Sequence, residues 1–309
     1  MKKFLLKATL YFVILAVLIG GTVFYAKSRS PKDLFFISNS VTLNLKAGFV
    51  KRNLDKFKNS RIYVIGSSMS LNNVDAVMMQ DSLQASTMNL ASWGLRLSNF
   101  KDAAFWRENK LLVYNTQYAD FKPSDIELKD GYRFDVSSRT ELANIFTDFR
   151  NYISDLNFAK RLVYQTTNRE YDYCTFDACG SALLNDSGFN VKPQRWNLDE
   201  FKNVQFDTSM LTKFVADIKS AVGSQPNNVR ILLAFSPGRR AFYSEERSKI
   251  VVKLADMLKQ SCPNVIFLNA YDDNYPDDLF VDNCHMNRKG ATRFTRQIID
   301  TIKVKKIAY

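Results

Sequence analysis

Histidine occurs once in this chain of 309 residues, at position 285. Cysteine is nearly as sparse, with four residues: Cys174, Cys179, Cys262 and Cys284. The Cys-x4-Cys pair at 174 and 179 has no second cysteine pair and no histidine beside it to complete a four-ligand zinc shell, so no metal is expected. Zinc-finger spacing, an RNP-type aromatic motif and a compact basic recognition helix are all missing, which argues against nucleic acid as a partner. No internal repeat or low-complexity tract is found, so a repeat architecture is not indicated.

What is present is ordinary globular material, 46% hydrophobic and 24% charged, enough for one sizeable core. The first segment differs. Ala8 to Ala26 is a run of 19 residues without charge, long enough at helical rise to cross a hydrocarbon core. Phe24-Tyr25-Ala26 has no small residue three back from a cut after Ala26, and no cysteine lies near for lipidation. An uncleaved single-pass anchor over 1–27 is therefore expected in place of a signal peptide. Lys2, Lys3 and Lys7 before it are matched by Lys27, Arg29 and Lys32 after it, so charge counting does not orient it.

Cys174 and Cys179 suit a small disulfide loop in an oxidising compartment, four buried thiols being the alternative. On that basis the domain is expected outside the cytoplasmic membrane. A bridge between Cys262 and Cys284 is one further pairing that the four cysteines permit. The formal net charge is +12, with Lys46, Lys51, Arg52, Lys56, Lys58 and Arg61 in one stretch and Lys303, Lys305 and Lys306 in another. Such a surface favours anionic partners such as lipid head groups or acidic polysaccharide, or simply keeps the domain in solution.

Residues 28–60 read as a basic stalk, with order beginning near Arg61. Short branched or aromatic runs predict strands at 62–65, 86–90, 111–115, 229–235 and 265–268. Ile250, Val251, Leu254, Met257 and Leu258, and then Ala291, Phe294, Ile298, Ile299 and Ile302, form apolar stripes at helical spacing. Non-alternating strands between helices predict an α/β fold with a doubly wound parallel sheet, reactive groups lying beyond the strands' carboxyl ends. Between about 120 and 207 this pattern gives way to an irregular insertion, a place for substrate choice or for a packing cap.

Gly66-Ser67-Ser68 follows the first strand, and Asp282-Asn283-Cys284-His285 precedes the last helix. Alone, each has an ordinary explanation, a helix cap or a turn. Together they offer a hydroxyl nucleophile, the chain's one imidazole, and an aspartate three residues before it that can fold back to hold Nδ1. Ser70 stands where the G-x-S-x-G elbow needs glycine, which disfavours an ordinary α/β-hydrolase.

On these residues the chain resembles the SGNH (GDSL-like) hydrolase superfamily, and more closely its membrane-anchored branch associated with acylation of cell-envelope polymers. The resemblance covers most of 61–302 and implies a flavodoxin-like three-layer fold, with Ser68, His285 and Asp282 as catalytic residues. It implies an oxyanion hole from the Ser68 N–H, Gly94 after the second strand and Asn115 after the third. The chain departs from the pattern in having Ser67 in place of the usual aspartate and no glycine two residues before Asn115. Arg239 and Arg240 after the fourth strand could hold an anionic group, and Trp93, with Trp106 and Tyr118, could stack on sugar. The expectation is an O-acyltransferase or esterase, anchored in the cytoplasmic membrane with its catalytic domain outside, acting on acetyl groups of a cell-surface polysaccharide. It would use no cofactor, and an integral membrane protein would donate the acyl group. The alternative is a non-catalytic binding or scaffold subunit of an envelope polysaccharide complex.

Overall fold

The computed structural model describes residues 2–29, 40–100, 110–121, 176–184, 208–223 and 230–309. Residues 1–36 with 138–175 form one compact unit, and residues 37–137 with 176–309 form another. In the first unit the described element is helix α1 (Lys2–Arg29). Its segment Lys2–Gly21 is apolar and long enough to cross a membrane, as an anchor or a signal sequence would be.

The second unit is built on five parallel strands, β1 (Ile62–Gly66), β2 (Thr87–Asn89), β3 (Leu111–Thr116), β4 (Arg230–Phe235) and β5 (Val265–Asn269), in the order β2-β1-β3-β4-β5. All five coincide with the predicted strands to within two residues at each end. Side-chain alternation then divides the sheet between two cores. Tyr63, Ile65, Leu112, Tyr114, Ile231 and Leu233 face one side, and Ile62, Val64, Leu111, Val113, Leu232 and Ala234 the other. Both faces are covered, which is why the strands carry continuous apolar runs.

The first face receives α6 (Thr208–Gly223) and α7 (Glu245–Ser261) through Phe214, Ile218, Val251, Leu254 and Leu258. Ser244 caps α7 by accepting from the Arg247 N–H, and Glu245 and Glu246 occupy its positive first turn. The second face receives α5 (Ala76–Leu83) and α8 (Arg288–Val304) through Met79, Leu83, Ala291, Phe294, Ile298 and Ile302. Each such buried Val, Leu, Ile, Phe or Met side chain is worth roughly 1.5–3 kcal/mol over leaving it in water.

The expected stalk needs correction. Residues 41–59 form two helices, α2 (Val41–Arg52) and α3 (Leu54–Asn59), that belong to the α/β unit. Leu43, Ala47, Phe49, Val50 and Phe57 are buried, while Lys51, Arg52 and Lys58 stay on the solvent side. Of the basic residues that suggested a tether, Lys51, Arg52 and Lys58 lie on the outer face of these helices, while Lys56 is half-buried and Lys46 wholly buried. Most of the expected insertion lies outside the described residues. Its piece 176–184 runs beside α4 (Ser68–Asn73): Ala182 N–H donates to the Leu71 carbonyl, and Asn72 Nδ2 to that of Ala182.

The strand order reverses direction between β1 and β3, and ligands of such sheets bind in the crevice beyond the carboxyl ends there. Ser68 follows the end of β1 at that point.

Candidate active site

Strand β1 ends at Gly66, whose φ of +125° suits glycine, and a Cβ there would come 2.7 Å from Ser70 Oγ and 2.8 Å from the Tyr114 ring. The chain can therefore turn sharply into α4. Ser67 caps that helix, its hydroxyl accepting from the Met69 N–H. Ser68 is the first helical residue and half-buried; its N–H has no acceptor among the described residues.

The segment before α8 folds back on itself. Asp282 Oδ1 accepts from the N–H groups of Cys284 at 2.8 Å and His285 at 2.7 Å, and Val281 N–H donates to the His285 carbonyl. These bonds bring Asp282 Oδ2 to 2.7 Å from His285 Nδ1 and leave Nε2 2.8 Å from Ser68 Oγ. With Asp282 ionised, Nδ1 carries the proton and Nε2 accepts from the hydroxyl. The three side chains brought together are Ser68, His285 and Asp282, the last two almost entirely buried.

Burial opposes protonation of the ring, but the electrostatic influence of Cys284 and of the Asp282 carboxylate outweighs it and raises the His285 pKa well above its ordinary value. Burial likewise works against ionised Asp282, yet attraction to His285 and its hydrogen bonds hold its pKa below normal.

The other expected residues fare differently. Gly94 lies half-buried in the turn after β2 with φ +77°, and Ser92 N–H in the same turn donates to the Gly66 carbonyl at 3.1 Å. Asn115, expected as an oxyanion donor, is instead a fully buried tie. Its Nδ2 donates to the Met69 carbonyl at 2.8 Å and its Oδ1 accepts from Ser236 Oγ at 2.8 Å, fastening α4 to the ends of β3 and β4. Arg239 is likewise committed to the protein. Its Nη1 donates to the Asp282 carbonyl at 3.3 Å, and Nε lies 3.3 Å from Asp277 Oδ1, close enough for attraction but not aligned as a hydrogen bond. Arg240 is exposed. Trp93 packs against Leu71, Ala91 and Ala182, and Tyr118 against Phe121, Phe235 and Tyr271. Trp106 lies outside the described residues.

Cys179, Cys262 and Cys284 are free thiols, so neither the 174–179 loop nor the 262–284 bridge is formed. Cys179 Sγ receives the Lys56 ammonium at 3.0 Å, and Cys262 sits at the end of α7. Asp282, Cys284 and His285 offer three ligand atoms within 4.8 Å of one another. Two of these atoms are already bonded to each other, and an ion there would have to break that bond.

Two groups went unrecognised in the sequence. Asn73, at the end of α4, bonds to both peptide groups flanking His285. Asp120, four residues past β3, accepts from Ser67 and pairs with Arg96. Neither position stands in a motif, and no pattern of spacing marks it.

No known protein-family model matches the sequence, and no curated protein matches it. Solved structures similar to the chain include a family two carbohydrate esterase from Clostridium thermocellum in complex with cellohexaose, at 11% identity and a TM-score of 0.39, covering 80% of this chain and 64% of that one. An acetyl xylan esterase from the rumen bacterium Butyrivibrio proteoclasticus gives 11% identity and a TM-score of 0.36, covering 79% and 63%. A carbohydrate esterase whose active site displays divergent catalytic and non-catalytic binding functions gives 12% and 0.31, covering 79% and 68%. The chain thus spans just under two thirds of the length of the first two.

Proposed function

We propose that the α/β unit is a serine-dependent acyl-transfer enzyme. The observation that carries this reading is the continuous hydrogen-bonded chain from Asp282 Oδ2 through His285 to Ser68 Oγ, 2.7 and 2.8 Å long at its two links. Ser68 Oγ attacks the ester carbonyl while His285 Nε2 takes its proton. The leaving alcohol then receives that proton as the tetrahedral intermediate collapses to an acyl-serine. An acceptor hydroxyl, deprotonated by His285, attacks the acyl-serine and takes the acyl group, freeing Ser68. Asp282 keeps the ring in the correct tautomer and stabilises the imidazolium. The Ser68 N–H and the turn at Gly94 stabilise the oxyanion, each such donor being worth about 10²–10³ in rate.

Acetyl as the acyl group, a cell-surface polysaccharide as its carrier, and transfer in preference to hydrolysis come from the motif resemblance, as does an integral membrane acyl donor. Membrane anchoring draws on the length and apolarity of α1. Labelling of the purified chain with a serine-reactive fluorophosphonate, with intact mass after an activated acetyl ester, tests the chemistry. Labelling is expected in the wild type, with a loss on the order of 10⁶ in rate for Ser68→Ala or His285→Ala. Label that persists in Ser68→Ala overturns the reading. The commitment of Asn115 to internal bonds favours one rival, a carbohydrate-binding scaffold, whose ligand binding would survive His285→Ala with no acyl turnover.

A further inference from the structure

We infer that Asn73 is a positioning residue that sets His285 in register with Ser68, an inference that rests on the reading of Ser68, His285 and Asp282 as a triad. Ser68 opens α4 and Asn73 closes it, so both ride on one six-residue helix. Asn73 is fully buried. Its Oδ1 accepts from the Met286 N–H at 2.8 Å, and its Nδ2 donates to the Cys284 carbonyl at 3.1 Å. Those are the peptide groups immediately before and after His285.

The turn from 281 to 286 has bonds of its own: Asp282 Oδ1 takes two N–H groups, and Val281 bonds to the His285 carbonyl. They fix the shape of the turn. They do not fix where it stands relative to the β1–α4 junction, more than two hundred positions away in the chain. The apolar packing of Met286 and α8 against the sheet, with one bond from the Asp75 N–H to Thr295 Oγ1 at 2.9 Å two turns into α8, brings the pieces together, but dispersion contacts are non-directional and a single distant bond leaves the histidine turn free to slide. A two-point amide clamp does not, because both of its bonds lengthen with any shift along the turn.

Asparagine suits the place on chemical grounds. One end must accept and the other must donate, at a fixed separation and without charge. Aspartate keeps the acceptor and loses the donor, leucine loses both, and glutamine displaces the amide by a methylene. A misplacement of about 1 Å between base and nucleophile costs roughly 10²-fold in rate.

Fluorophosphonate labelling of the full chain in detergent, followed against reagent concentration and pH, separates reagent affinity from the covalent step. Asn73→Leu and Asn73→Asp are expected to slow the covalent step by about 10² with reagent affinity unchanged. In Asn73→Asp the added negative charge moves the alkaline rise in labelling to higher pH. The imidazole resonances of His285, the one histidine in the chain, give an independent readout. They should shift in both variants and broaden in Asn73→Leu. If Asn73→Leu does not fold, the isosteric Asn73→Asp carries the test. Folded variants that label at the wild-type rate with unchanged His285 resonances overturn the inference. A wild type that fails to label defeats the triad reading instead, and the resonances alone then decide whether Asn73 positions the ring.

Discussion

The hydroxyl of Ser67 donates to the carboxylate of Asp120 across 3.1 Å, although the two stand 53 positions apart. Asp120 thus brings a buried carboxylate from beyond β3 to the residue that precedes Ser68. Asp120 also accepts from the Gln117 N–H at 3.2 Å and pairs with Arg96 Nη1 at 2.9 Å. Burial raises its pKa, against the pull of Arg96 and of its hydrogen bonds.

Removing Arg96 leaves that buried carboxylate without its cation. Arg96→Met is expected to lower stability by about 3 kcal/mol, read from the denaturant midpoint. An acid whose folded-state pKa lies above its unfolded value stabilises the protein when protonated and loses that contribution as pH rises through the folded value. The loss in Arg96→Met should therefore shrink as pH falls towards 3.8, the unshifted value for Asp120. Adding Asp120→Asn should restore part of the stability at neutral pH. A neutral-pH midpoint unaffected by Arg96→Met would show that the pair contributes nothing.

The pH dependence of Ser68 labelling follows from the imidazole. His285 must be neutral to accept the serine proton, and its pKa is raised, so labelling should climb with pH through a midpoint above the ordinary value of 6.5. Asp282→Asn removes a charge that holds the proton on the ring, so it should bring the midpoint down while cutting the plateau rate by about 10⁴. A midpoint that stays put in Asp282→Asn would separate the carboxylate from the base. For stability the sign is opposite to that for rate: a base with a raised folded pKa contributes fully below 6.5, and the contribution fades as pH rises through the folded value.

Lys46 makes a different kind of prediction. Its ammonium, fully buried, donates to the carbonyls of Asn89 at 3.0 Å and of Gly180, and lies 4.0 Å from the centroid of the Phe176 ring. It fastens the 176–184 piece to the edge strand β2. Lys46→Met should cost about 2–4 kcal/mol and raise amide exchange in 176–184 before the rest of the unit. Uniform exchange across the unit would show that this piece has no opening of its own.

The strands were legible because each is a short run of branched and aromatic residues buried on both faces, a pattern needing no knowledge of neighbours. The stripes of α7 and α8 were legible for the same reason. In α2 and α3 the stripe of Leu43, Ala47, Val50 and Phe57 is interleaved with lysine and arginine, and charge density there resembles a tether until the sheet supplies a surface to bury against. Asn115 misled because strand position locates its backbone at the rim. The direction of its amide was settled by Met69 and Ser236, which come from other elements.

By itself, the amino-acid order determined the α/β class, the five strands and the pairing of a serine with the chain's one histidine, because local pattern and residue chemistry suffice for those. Tertiary structure alone decided that Asn73 clamps the histidine turn, that Asp120 answers Ser67 and that the Asn115 amide turns to Met69 and Ser236. Hydrogen bonds of that kind depend on strand order and side-chain direction to within about 1 Å, and neither is written in the spacing of residues along the chain.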